Sequence, residues 1–170
     1  VAGKALTIAP LTTSRDILLG ADGGGTALGL SATDFASLAN VSTLNVGGAG
    51  QTGAIHLQGA VDASSTGAST VNLSNHGGGI AIGANFSVAP GALLSLVANA
   101  GGAGAITSSG AGTLVADQAS LAAAGGIGTA LAPVRLGRSA TISATNSGSG
   151  GVFIQANSTG AAVNLTVGAA

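Results

Sequence analysis

Few residues in this chain could do chemistry, so each is weighed by its spacing. The carboxylates are Asp16, Asp22, Asp34, Asp62 and Asp117, and there is no Glu. Acid–base work on a glycosidic bond needs two carboxyls within several ångströms, often beside Arg or Lys. Asp16 and Asp22 lie near Arg15, but a 27-residue repeat puts Asn45 or neutral residues at the equivalent positions below. No ladder of acids results, and the five read as scattered solubilising charges. His56 and His76 stand 20 residues apart with no acid close in sequence to either. A zinc site needs at least a third ligand, so both read as solvated surface histidines. The absence of Cys removes thiolate ligands and disulfides. Gly48-Ala49-Gly50-Gln51-Thr52-Gly53 fits G-x-G-x-x-G, but strand-like Ile55-His56-Leu57 follows where a dinucleotide site needs a helix. It reads as a turn. The glycine-rich calcium repeat of β-rolls is absent. No catalytic, cofactor or metal-binding residue is assigned.

The asparagines carry the one remaining motif. Five of the nine sit in N-x-[ST], at Asn40, Asn72, Asn85, Asn157 and Asn164. The motif marks N-glycan acceptors in secreted proteins, and these five are weak candidates. On a strand, residues i and i+2 share a face, which turns both motif members outward at Asn72 and Asn164. The competing reading is a polar outer face with Asn stacked between turns. Outward slots read Leu18, Asn45, Asn72 along one file and Gly29, His56, Ala81 along another. Neither is the Thr file of an ice-binding surface.

The elements that hold these residues are set by an unusual composition. The chain has 170 residues, 31 of them Gly, with 5% charged residues, a net charge of −1 and mean hydropathy +0.61. Ordinary soluble domains carry about 25% charge. Four Lys and Arg spread over the chain cannot make a nucleic-acid surface. Aliphatic richness argues against disorder. No window approaches the roughly 20 apolar residues of a membrane span, and no membrane insertion is expected. The N-terminus lacks a signal-peptide pattern, so the chain reads as an excerpt or a processed product.

Short apolar–x–apolar units recur throughout, from Leu6-Thr7-Ile8 and Ile17-Leu18-Leu19 through Val71-Asn72-Leu73 to Val134-Arg135-Leu136 and Val163-Asn164-Leu165. Gly, Asn and Ser punctuate them. Ile17, Leu44 and Val71 are each 27 residues apart, as are Leu28 and Ile55, and Val61 and Val88, while Val71 to Leu94 is 23. Such self-similarity marks a solenoid. Frequent Gly disfavours helical repeats; only Thr33–Ala39 and Ala116–Ala124 allow one-turn helices or loops. The fold class is therefore all-β: a right-handed parallel β-helix with about 20–27 residues per turn and roughly three short strands per turn. Residues 1–170 are expected to form one such segment, long enough for about seven turns, within a longer solenoid or a stacked fibre.

The segments AGGIGTALAPVRLG (Ala124–Gly137) and SATISATNSGSGGVFIQANSTG (Ser139–Gly160) resemble the repeat region of filamentous-haemagglutinin-like exoproteins. These are large bacterial two-partner-secretion adhesins. The matching positions are Gly125, Gly126, Ile127, Gly128, Thr129, Pro133, Val134 and Leu136, then Gly150, Gly151, Val152, Phe153 and Ile154. About 36 residues carry the likeness, and the rest matches in style. The resemblance implies an exported, surface-exposed stalk at the bacterial cell surface and an outer-membrane secretion partner.

The leading expectation is a non-enzymatic extracellular structural or adhesive protein, the shaft of an exoprotein, touching host or matrix glycans. A second is a fibre subunit self-associating through open β-helix ends, since neither terminus shows a charge cluster or a capping helix. A third is a polysaccharide-acting β-helix enzyme. No nucleic acid or cofactor is expected.

Overall fold

The apolar triplets from Leu6 to Leu136 lie in or beside short strands, and each strand pairs with its counterpart one turn away. This is a computed structural model; it describes residues 3–98, 102–139 and 141–157, and the backbone of 164–168. Three parallel sheets result. The long one runs β1 (Lys4–Ile8), β4 (Val41–Gly48), β7 (Thr70–Asn75), β10 (Leu93–Ala98), β13 (Gln118–Ala123), β15 (Thr141–Asn146), β17 (Asn164–Gly168). The second is ordered β11 (Ile106–Ser108), β8 (Ile80–Ile82), β5 (Ile55–Leu57), β2 (Ile17–Leu19), β3 (Leu28–Leu30). The third is β16 (Ile154–Asn157), β14 (Val134–Gly137), β12 (Thr113–Val115), β9 (Phe86–Ser87), β6 (Val61–Asp62). The protein is a parallel β-helix.

Its core is a set of stacked files. Leu6, Leu44, Val71, Leu94, Ala119 and Ile142 form one on the long sheet. On the second sheet Ile17, Ile55, Ile80 and Ile106 stack, extended by single bridges to Ile127 and Val152. Val61, Phe86, Leu114 and Leu136 stack on the third. Residues from Ile17 to Ala144 in these files are almost wholly buried. Stacked files let a thin solenoid exclude water although it has a narrow interior.

Three expectations are corrected. Ile17 does not stack on Leu44; it stacks on Ile55, and Leu6 takes the place below Leu44. The first turn is longer than the others, 38 residues from Leu6 to Leu44 against 27 from Leu44 to Val71. Leu28 and Ile55 flank Ile17 on opposite sides, and Val61 meets Phe86 rather than Val88. The helix allowed at Ala116–Ala124 is strand β13, because Ala119, Leu121 and Ala123 turn inward beneath Leu94, Leu96 and Ala98. Stacking overrides the helical preference of Ala and Leu.

Third, a capping helix exists. The extra length of the first turn falls within Ala21–Asn40. It holds β3, which covers the edge of β2, and α1 (Ala32–Ser37), which contacts β6 and the 3₁₀ turn at Ser64–Thr66. Ser31 starts the helix with a capping box. Its Oγ accepts from the Asp34 amide at 3.2 Å, and the Asp34 carboxylate accepts from the Ser31 amide at 2.8 Å. Phe35 enters the core and meets Phe86 edge-on, centroids 5.9 Å apart. So at this end α1 lies against β6 of the third sheet, while β1 and β3 are the outermost strands of the other two sheets among the described residues.

Candidate functional site

The residues weighed for catalysis belong to different elements or the turns beside them. The Asp16 carboxylate accepts from the Ala54 amide at 2.7 Å and lies 3.6 Å from Nε2 of His56. The acid that His56 lacks in the sequence is thus supplied by the rung below, 40 residues away. Asp22 is exposed, and Asp34 caps α1. Asp62 accepts from the Ser64 amide and the Ser87 hydroxyl, and these bonds, the first above all, hold its carboxyl below the usual range.

Asp117 closes a clasp across three rungs. It accepts from the Gly91 amide and pairs with Arg138 Nε at 2.6 Å, while the Arg138 fork donates to the Val88 carbonyl at 2.8 Å. The Gly91 bond, then Arg138, hold the Asp117 carboxyl below its ordinary value against the opposing effect of burial. Among the described residues, no three His, Cys, Asp or Glu side chains converge on one point.

Gly48–Gly53 is a corner between β4 and β5, followed by strand rather than helix. Its working residue is Gln51, buried, whose amide donates to the carbonyls of Arg15 and Gly53. The turn holding His76 is organised by buried Asn75. The Asn75 side chain accepts from the amides of Gly77 and Gly78 and donates to the carbonyls of Gly53 and Gly79. Asn146 does the same work two rungs beyond β10, donating to Gly148, Ser149 and Gly150. Sequence reasoning passed over both. The signal was an Asn placed directly before a glycine-rich corner.

The acceptor candidates differ in freedom. Asn40 is exposed at a left-handed turn (φ 59°), and among the described residues its side chain makes no hydrogen bond. Asn72 is half-buried, and its Nδ2 donates to Asn45 Oδ1 at 2.8 Å. Asn85 is exposed, but its Oδ1 braces the Thr113 amide at 3.0 Å. Asn157 is exposed on β16, though Ser158 and Thr159 of its motif lie outside the described residues. For Asn164 only the backbone, in β17, is described.

The outward files differ from those expected. Leu18 belongs to the second sheet, in the file Gly29, Leu18, His56, Ala81, Thr107. On the long sheet the file is Thr7, Asn45, Asn72, Ser95, Ser120, Ser143, with Thr166 next in register. Every member is a hydroxyl or an amide. At about 4.8 Å per rung it extends about 29 Å. Asn72 donates to Asn45, and Asn45 donates to Thr7 Oγ1 at 3.3 Å. Beside the file a groove of about 360 Å³ is lined by Thr7, Asn45, Asn72, Ser74, Ser95 and Val97, with the backbone of Gly47 and Gly48 as part of its floor. Lys4 is the one charged residue on the strands of this sheet.

No protein-family model, curated protein or solved structure matches the chain. Its fold class is a parallel β-solenoid, and the function has to be argued from its surface.

Proposed function

We propose that the protein is a non-enzymatic extracellular structural and adhesive element, the β-helical shaft of a bacterial surface exoprotein. The observation that carries this reading is the long sheet. Seven strands stack rung on rung, and one file along the outer face, Thr7, Asn45, Asn72, Ser95, Ser120 and Ser143, is made wholly of small neutral polar residues. Such a stack is stiff along its axis because each rung is hydrogen-bonded to the next. The sequence likeness of Ala124–Gly160 to filamentous-haemagglutinin-like repeats supports export to the cell surface through an outer-membrane secretion partner. No helix among the described residues is long and apolar enough to cross a membrane.

A surface of hydroxyls and amides recognises other hydroxyl-rich surfaces, such as host or matrix glycans, with low affinity per contact that repetition multiplies. Beads coated with the purified chain are expected to adhere to glycan-bearing cells or matrix and to release when those glycans are stripped enzymatically. Adhesion equal to that of uncoated beads would overturn the reading. Where the chain itself is glycosylated, the free side chain of Asn40 is the better acceptor and the stacked Asn72 the poorer one; peptide mass spectrometry reads both.

One observation favours a second reading, a fibre subunit. Among the described residues the outer edges of β1 and β3 take part in no strand pairing, while α1 lies against β6, and free edges template further strands.

A further inference from the structure

We infer that the groove on the long sheet is a binding track for a neutral linear polysaccharide, laid along the solenoid axis. This rests on the adhesive reading and specifies its site and ligand. Three observations converge. The first is shape. Gly47 carries no side chain and Ser74 a short one, while Val97 on the next rung stands up as a wall. The resulting trough spans the rungs of β1, β4, β7 and β10, about 14 Å of axis at about 4.8 Å per rung.

The second is hydrogen-bonding state. The amides are pre-set in one direction, Asn72 to Asn45 to Thr7. Among the described residues, that relay leaves Asn72 Oδ1 as a free acceptor, and no hydrogen bond engages the hydroxyls of Ser74 or Ser95. The Thr7 hydroxyl accepts from Asn45 and keeps its own proton to donate. The groove thus offers donors and acceptors in alternation, the pairing that sugar hydroxyls require, since each both gives and takes a hydrogen bond. A second groove beside Asn40 lacks this property: the hydroxyls of its Ser42 and Ser69 are already bonded to the Gly3 and Ser42 carbonyls.

The third is charge. Asn45, Asn72, Ser74, Ser95 and Val97 bring none, which leaves an anionic polymer without a counter-ion in the trough. Val97 supplies an apolar contact for the C–H face of a sugar ring. No aromatic side chain lines the groove, so affinity comes from hydrogen bonds and shape and is expected to be weak, with Kd on the order of 1 mM for an oligosaccharide.

The test is a titration of the whole ¹⁵N-labelled chain with cellohexaose, laminarihexaose and maltohexaose, with heparin hexasaccharide as the anionic control. The expected result is saturable shifts at the Asn45 and Asn72 side-chain amides and at backbone amides of Ser74 and Ser95, with at least one neutral hexasaccharide and not with heparin. Asn72→Ala and Ser74→Ile change outward positions only, and each is expected to weaken binding at least tenfold. Unchanged far-ultraviolet circular dichroism checks that both still fold, and Thr145→Ile on the far rungs serves as a variant that leaves binding intact. Absence of shifts with all three neutral sugars, shifts confined to another face, or preference for heparin would each overturn the proposal. The same variants on beads separate it from the adhesive reading. Adhesion that survives Ser74→Ile places the adhesive surface elsewhere, whereas wild-type beads that do not adhere remove the broader reading itself.

Discussion

Asparagine does two jobs here, decided by which way the strand end points it. Asn45 and Asn72 face outward and relay hydrogen bonds along a file. Asn75, one strand position from an outward residue, turns inward and replaces the backbone partners that a glycine corner lacks. Asn75→Ala would leave the Gly78 amide without its partner, since Gly77 also donates to the Gln51 carbonyl and the Gly53 and Gly79 carbonyls also accept from Gln51 and Ile55. An unsatisfied buried group costs about 1–3 kcal/mol, so a loss of that size is expected, read by chemical denaturation, with His76→Ala close to neutral as the comparison. Asp117 makes a second residue-level prediction. Its folded-state carboxyl is held below the ordinary 3.8, so its contribution is present above the unfolded value and is lost as pH falls through the folded one. Melting temperature is expected to drop below about pH 4, and Asp117→Asn is expected to be less stable at pH 7 and to show a shallower acid drop.

Among the elements, the insert from Ala21 to Asn40 does the most to shape the molecule. It adds a strand, β3, to the second sheet and lays α1 against β6 instead of adding a rung to the third sheet. Gly20, where the insert departs, adopts φ 78°, and a Cβ there would sit 2.2 Å from the Gly59 carbonyl oxygen on the next rung. Only Gly allows that left-handed exit and close approach. Phe35 anchors the insert through its edge contact with Phe86. Phe35→Ala is expected to cost about 3–5 kcal/mol. It is also expected to loosen α1 from β6 and to raise concentration-dependent association, because the third sheet then presents a bare edge. Light scattering across a dilution series reads the second effect; an unchanged monomer would show that α1 is not an edge cover.

As a whole molecule, the chain is a column whose sheets differ in depth: among the described residues, seven strands on one and five on each of the others. At the α1 end the edges open to self-association are those of β1 and β3, while α1 lies against β6. Negative-stain images of the purified chain across dilutions are expected to show separate stubs of roughly 30–40 Å, in keeping with a shaft segment. Uniform filaments that lengthen with concentration would favour the fibre-subunit reading instead.

The alternation in Ile55-His56-Leu57 or Ile80-Ala81-Ile82 is enough to read strand, inward face and solenoid, because side-chain direction in a strand is a local property of period two. The same local logic allows a one-turn helix or loop at Thr33–Ala39, where α1 (Ala32–Ser37) forms. It fails for Gln118–Ala123, where Ala and Leu favour a helix locally and the file above, Leu94, Leu96 and Ala98, makes a strand. It fails again for register. A 27-residue spacing pairs Ile17 with Leu44 on paper, but the insert lengthens the first turn and shifts Ile17 onto Ile55. The polar file of the long sheet, the Asp16–His56 contact and the groove beside Asn72 all depend on that register. They join residues about 23 to 40 positions apart, and which residues meet across a turn depends on the length and packing of everything between them.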